Sequence, residues 1–219
     1  MKVITIGGVP AAGKTYTSKL LAKQYNFLAL EFEALRWDFY NENLENNLYK
    51  YTKNASFLEN ETMRDYYLRC TLYESIIPLE TLIKWQKVTI DYIGSKIDRI
   101  LDEYILIKTE EDYELFCNKY KILINYKPKY TNLDKSVIVC SHAFINTIEF
   151  TKKTRIKIDF TSDKSIIINR FKNREKIEDG LDNKLKLYYK SYEDILTGSK
   201  AILLDTTKID VTDKILKLL

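Results

Sequence analysis

The chain begins with a continuous apolar run, Val3-Ile4-Thr5-Ile6, closed by Gly7-Gly8. A short β-rich run stopped by glycine predicts a strand buried on both faces, as in a parallel sheet. Lys14 to Tyr25 contains no breaker and carries Leu20, Leu21 and Tyr25, which predicts a helix. Phe27-Leu28-Ala29-Leu30 predicts a second strand, with Glu31 and Glu33 at its exit. Strand, loop, helix and strand in this order open an α/β domain with a parallel sheet.

From about Ala34 to Tyr126 the apolar positions switch to helical spacing. Leu82, Trp85, Val88 and Tyr92, then Ile93, Ile97, Ile100 and Tyr104, predict one long helix across Thr81 to Tyr104. The stretch reads as an insertion of three to five helices that ends near Lys127-Pro128-Lys129. The α/β pattern then resumes with strands at Ser136–Cys140 and Arg155–Phe160 and a helix from Lys164 to Lys172 capped by Thr161-Ser162-Asp163. A charged stretch from Asn173 to Lys184 holds Gly180. A helix at Leu185–Leu196, a last strand at Ala201–Asp205 and a helix from Asp210 complete the chain.

Composition narrows the class without naming a partner. The 219 residues are 45% hydrophobic and 30% charged, ordinary for a globular protein that buries a core. The net charge of +4 neither demands nor excludes a basic nucleic-acid face. Cys70, Cys117 and Cys140 lie far apart and form no metal or redox pair, so they read as reduced thiols of a cytoplasmic protein. The opening residues show no basic segment followed by a long apolar stretch, so no secretory leader is expected. No run reaches the roughly 18 apolar residues of a membrane span.

The chemistry enters between the first strand and the first helix. Gly8, Gly13, Lys14 and Thr15 satisfy G-x-x-x-x-G-K-[ST], a loop whose backbone N–H groups, together with the helix start, hold phosphates. Residues Gly8, Val9, Pro10, Ala11, Ala12, Gly13, Lys14, Thr15 and Tyr16 are therefore assigned to ATP. Lys14 reaches the β- and γ-phosphates, and the Thr15 hydroxyl is the Mg²⁺ ligand. Two guanine-type patterns are decoys. Asp91-Tyr-Ile-Gly94 sits inside a helical pattern, and Thr207-Lys208-Ile209-Asp210 lies too near the C-terminus to complete a guanine site.

A kinase also needs cations around the moving phosphoryl group and a carboxylate near the acceptor. Arg170 and Arg174, four apart on one helical face, supply the cations and start a lid-like segment at about 170–184. Glu31 and Glu33 share strand parity at the carboxyl edge of the sheet, where α/β ligands bind. Either orients the acceptor hydroxyl or metal-bound water, and Asp159 and Asp163 are weaker candidates. Arg36 suits an anionic substrate. His142, the only histidine, follows the third strand at the same edge and is a second acceptor-side candidate.

GVPAAGKT, VIVCSHAF, RFKNRE and LLDTTKID together resemble the P-loop kinases of the nucleoside-monophosphate-kinase-like and 2-phosphoglycerate-kinase-like group. The resemblance covers about residues 1–34 and 133–219. It implies a three-layer α/β kinase core with a parallel five-stranded sheet, and a helical insertion at 35–132 that binds the acceptor. It also implies that Asp205, Thr206 and Thr207 lie beside the adenine. Relatives often carry an acidic residue after the third strand, where this chain has Cys140 and Ser141, and aspartate after the second, where it has glutamates.

The resulting expectation is an ATP- and Mg²⁺-dependent kinase acting on a nucleotide, nucleoside or phosphorylated metabolite. A second reading moves the phosphoryl group to a nucleic-acid end or modified base, using the basic aromatic stretch Lys119 to Tyr130. A third makes the chain a nucleotide-binding regulator, on the strength of the missing acidic residue after the third strand.

Overall fold

A computed structural model describes residues 2–43, 57–74, 78–132, 135–140, 146, 154–177, 180–207 and 211–218. The first half contains β1 (Val3–Gly8), α1 (Lys14–Tyr25), β2 (Leu28–Glu31), α2 (Glu33–Asn43), α3 (Met63–Leu68), α4 (Leu79–Leu106) and α5 (Glu110–Lys119). There follow β3 (Ile124–Tyr126), β4 (Val137–Cys140), β5 (Thr154–Thr161), α6 (Lys164–Glu175), α7 (Asp182–Leu196), β6 (Ile202–Asp205) and α8 (Thr212–Leu216).

Six strands form one sheet in the order β3-β2-β4-β1-β5-β6. Five are parallel, and β3 joins β2 antiparallel at the edge. The expected count of five therefore becomes six. The extra strand, Ile-Asn-Tyr, is only three residues long and has no period to announce it, and it lies in the stretch read as a helical insertion, where a strand is possible but not obvious from the sequence. β1 is central, so its carboxyl end opens where connections leave toward both sides of the sheet, the place where α/β folds bind ligands.

The sheet is covered on both faces. Ile4, Ile6, Ile138, Ile158 and Phe160 pack with residues of α1, α6, α7 and α8. Val3, Leu28, Leu30, Val137 and Val139 pack with Ile93, Ile97, Ile100 and Tyr104 of α4 and with Tyr113 and Phe116 of α5. The second half of the α4 stripe is thus buried as its spacing predicts, whereas Val88 is 56% exposed. Helices α4 and α5 of the 35–132 stretch therefore form the second helical layer of this three-layer architecture.

Helix starts follow local chemistry. Thr62 with Asp65, and Thr109 with Asp112, form reciprocal capping boxes on α3 and α5. Asp163 caps α6 by accepting from the N–H groups of Ser165 and Ile166. Asp91 and Gly94 lie inside α4, which removes the D-x-x-G decoy from any strand end.

Candidate active site

The loop between β1 and α1 is shaped by two glycines with different tasks. Gly8 has φ +116°, and a Cβ there would lie 2.2 Å from the Phe160 carbonyl oxygen. The close approach at Gly8 is thus to strand β5, which also accepts the Val9 N–H at 3.0 Å. Gly13 has φ +87° with nothing within 4 Å of an added Cβ, so it is required only by backbone geometry at the helix start. Ala11 also has positive φ, at 62°. Lys14 folds back over the loop, donating to the carbonyls of Gly8 at 2.9 Å and Val9 at 2.8 Å. Burial lowers its pKa below the ordinary lysine value.

Thr15 answers the question raised by the missing acidic residue after the third strand. Its hydroxyl donates to Glu31 Oε1 at 2.7 Å, and Asn125 of β3 donates to the other carboxylate oxygen at 3.2 Å. Glu31 is the register partner of Cys140, so β2 delivers from one strand over the carboxylate that β4 lacks. The Cys140 sulfur lies 3.9 Å from the same hydroxyl. Burial and neighbouring Glu31 push the Cys140 thiol up to about 12, leaving it neutral near pH 7.

Glu31 and Glu33 do not share a strand. The Phe32 N–H donates to the Cys140 carbonyl at 3.0 Å, the Leu35 N–H turns back to Phe32, and Glu33 becomes the first residue of α2. Their environments pull the two carboxyls apart. Burial raises the Glu31 pKa, with Glu33 adding to the rise. Burial works the same way on Glu33, but Arg36, then Lys14, Arg174 and Arg64, outweigh it and lower the pKa.

Beside the loop lies an inner cavity of about 40 Å³ walled by Lys14, Glu33, Arg36, Arg64 and Arg174 over Trp37, Tyr67 and Tyr188. It shares Glu33, Trp37 and Arg64 with an outer cavity of about 330 Å³ that also takes in Glu31 and Asn125. Arg36 is 6% exposed, donates to Glu33 at 3.1 Å and lies 3.9 Å above the Trp37 ring centroid. Arg64 and Arg174 both donate to Glu175 Oε1.

Arg170 and Arg174 share a helix yet face different cavities. Arg170 donates to the Thr206 carbonyl at 3.4–3.5 Å and lines a cavity of about 290 Å³ with Ala11, Ala12, Gly13, Tyr16 and Thr206. Of the residues expected beside the base, Thr206 is in this wall. The Asp205 carboxylate instead accepts from Thr207 N–H at 2.8 Å and its hydroxyl at 2.5 Å, closing a tight turn. Most of the 170–184 stretch is helical, with Lys176 in left-handed geometry after α6 and Gly180 at φ +101° before α7. His142, Lys208, Ile209 and Asp210 lie outside the described residues. Asp159 is buried and accepts from Asn146 at 2.8 Å, and Asp163 is the α6 cap. Among the described residues no cluster of His, Cys, Asp or Glu is arranged to hold a metal ion by itself.

Neither a family model nor a curated protein sequence matches the chain. Among solved structures, a Thermus thermophilus protein is similar with a TM-score of 0.50 at 13% identity, covering 99% of this chain and 95% of that one. What the two share is the fold, which in this chain is a mostly parallel sheet covered by helices on both faces. The shikimate kinase of Bacteroides thetaiotaomicron has a TM-score of 0.47 at 11% identity, covering 99% and 97% of the two chains. The deoxyadenosine kinase of M. mycoides has 0.41 at 17% identity, covering 99% and 97%. At these identities the likeness concerns the fold alone.

Four residues of the inner cavity, Trp37, Arg64, Tyr67 and Glu175, are not set apart by any local pattern in the sequence. Arg64 is the second residue of α3, Glu175 ends α6 inside a charged run, and Trp37 and Tyr67 sit among other aromatic residues. Their shared cavity appears only when α2, α3 and α6 meet.

Proposed function

We propose that the chain is an ATP- and Mg²⁺-dependent kinase that phosphorylates a hydroxyl or phosphate of a small molecule. The observation that carries this reading is the meeting of Lys14, Glu33, Arg36, Arg64 and Arg174, from four separate segments, in one cavity beside the phosphate loop. In the reaction the acceptor oxygen bonds to the γ-phosphorus, the bond from that phosphorus to the β–γ bridging oxygen breaks, and ADP leaves. An acceptor hydroxyl gives up its proton to Glu33, from which it passes to solvent.

The residues fit these reactants. The loop N–H groups, the start of α1 and Lys14 suit the donor's phosphates. Arg170, Tyr16 and Thr206 suit the base side, and Arg174 the charge on the transferring group. Glu33, kept ionised by Arg36, orients the acceptor hydroxyl and accepts its hydrogen bond. Thr15 donates its proton to Glu31, which leaves its oxygen lone pairs free for Mg²⁺. When bound, Mg²⁺ neutralises charge on the β- and γ-phosphates. Cys70, Cys117 and Cys140 are unpaired and buried, which suits a cytoplasmic enzyme. No helix among the described residues is long and apolar enough to cross a membrane.

The nucleic-acid reading is weakened because two of the four lysines between Lys119 and Tyr130 are engaged by carboxylates. Lys119 pairs with Glu103 at 2.8 Å and Lys127 with Glu114 at 2.6 Å. The regulator reading loses its argument, since Glu31 stands beside Thr15.

The test is purified chain with Mg-ATP and pooled hydroxyl-bearing metabolites, nucleosides and nucleotides, read by mass spectrometry for a gain of one phosphate. The expected result is a phosphorylated acceptor with matching ADP, reduced at least about 10²-fold by Lys14→Ala. Nucleotide binding without turnover on any acceptor, or full activity in Lys14→Ala, contradicts the proposal.

A further inference from the structure

Gly8, Ala11 and Gly13 of the phosphate loop all stand at positive φ, and Ala11, at 62°, is the one that is not glycine. In left-handed geometry a Cβ crowds the following carbonyl, so alanine keeps this conformation where its surroundings fix it. Such a turn also brings successive N–H groups to one side, where they make a concavity that binds anions. The hold on Ala11 is therefore a hold on the phosphate grip.

The carbonyls that precede Ala11 are engaged in two ways. Lys14 takes those of Gly8 and Val9 from within the loop. The Pro10 carbonyl is taken from outside, by the hydroxyl of Tyr189 on α7 at 3.1 Å. On the kinase reading Lys14 is itself a phosphate ligand, so its hold competes with the nucleotide, whereas that of Tyr189 does not. The Pro10–Ala11 peptide is trans, so its C=O and N–H point in opposite directions. A carbonyl held toward α7 turns the Ala11 N–H away from α7.

Tyr189 is itself firmly placed. It is fully buried, and its ring meets Phe171 at 6.0 Å and 90° and Tyr188 at 5.7 Å and 88°. Burial pushes its phenol well above the ordinary value of 10, so it stays protonated and able to donate. Phe171 lies on α6 between Arg170 and Arg174, and the Arg174 guanidinium stands 5.3 Å from its ring centroid. The loop and the arginine proposed for the transferring group thus share one aromatic support.

We infer that Tyr189 is a positioning residue of the phosphate loop: by holding the Pro10 carbonyl it sets the Pro10–Ala11 peptide so that the Ala11 N–H faces the nucleotide's phosphates. A helix that follows the arginine-bearing α6 in the chain thereby fixes the shape of a loop almost 180 residues earlier.

The inference rests on the kinase reading for the loop's ligand, and its test needs no acceptor. Full-length chain is titrated calorimetrically with ADP and with pyrophosphate, as wild type, Tyr189→Phe and Tyr192→Phe. Each variant removes one hydroxyl from a buried tyrosine of α7, but the Tyr192 hydroxyl lies against that of Tyr188 at 2.9 Å. Tyr189→Phe should weaken both ligands about fivefold or more, and Tyr192→Phe should leave both within about twofold. In chain carrying ¹⁵N-labelled alanine, the Ala11 amide signal should move on saturation with pyrophosphate, and about half as far or less in Tyr189→Phe. Unchanged affinity in Tyr189→Phe, equal losses in the two variants, or an Ala11 signal that does not respond or responds equally overturns the inference and leaves the kinase reading standing. So does a Tyr189→Phe chain that urea unfolding shows to be no longer folded, because a hydroxyl that positions the loop is not needed to fold the core. Wild-type chain that binds neither ligand contradicts the kinase reading and the inference with it.

Discussion

On the base side of the phosphate loop, the cavity is walled by Ala11, Ala12, Gly13, Tyr16 and Thr17, all from one continuous segment, with Arg170 and Thr206 beyond them. On the proposed acceptor side, residues at 33–37, 64–68 and 171–175 meet around Lys14. The first wall is mostly backbone and small side chains, so it needs a particular chain geometry. The second is mostly ion pairs over aromatic rings, so it needs several elements to arrive together. On the proposed reading, a phosphate grip can be specified locally, whereas recognition of an acceptor is a tertiary property.

The largest effect expected from breaking the acceptor side comes from Glu33→Gln. It should lower kcat about 10²–10⁴-fold, the range for losing a positioned acid–base group, while ADP affinity is retained. Steady-state kinetics with calorimetry checks this. Unchanged kcat would remove Glu33 from the reaction.

On the loop side, the two glycines should separate. Gly8→Ala forces a Cβ into the Phe160 backbone and should destabilise by about 3 kcal/mol or more. Gly13→Ala meets open space and carries only the cost of positive φ, about 1–2 kcal/mol. Urea unfolding of both variants tests the contrast, and equal losses would mean that the contact with β5 is not what fixes Gly8.

A smaller effect concerns pH. Glu31 has its pKa raised above the ordinary 4.5, so it takes up a proton first as pH falls and no longer accepts from Thr15 as a carboxylate. Glu33, lowered below 4.5, stays ionised through that range. Activity should therefore fall on the acid side at a pH above 4.5. Glu31→Gln should reduce activity about tenfold near neutrality and flatten that limb. The stability signs are opposite. Ionised Glu31 costs stability above its folded pKa, and the cost fades as pH falls through it. Glu33 contributes stability above 4.5 that is lost as pH falls through its depressed value. An acid limb unchanged in Glu31→Gln would assign it to another group.

The same contrast explains what could be read in the chain. β1, the phosphate loop and α1 were legible because apolar run, glycine positions and helix start occur in consecutive residues. The second half of α4 was legible because Ile93, Ile97, Ile100 and Tyr104 face one packed layer. β3 was not, because three residues beside a β2 edge carry no periodic signal. Glu33 was visible as a carboxylate near the strand exit, but the change to helix at Phe32 depends on its hydrogen bond to Cys140, more than 100 residues away. Arg64 had no local signal at all. Its cavity exists only where α2, α3 and α6 come together.

Arg170 and Arg174 condense the comparison into one helix, since four residues separate a base-side side chain from an acceptor-side one. The direct test is the steady-state kinetics of Arg170→Ala and Arg174→Ala with ATP and the acceptor identified by phosphate gain. The account predicts that Arg170→Ala raises KM for ATP about tenfold or more with kcat within about threefold. Arg174→Ala should lower kcat about 10²-fold or more with KM for ATP within about threefold. The same loss of kcat in both variants, or the same rise in KM for ATP, would contradict the division of the cleft into two sides.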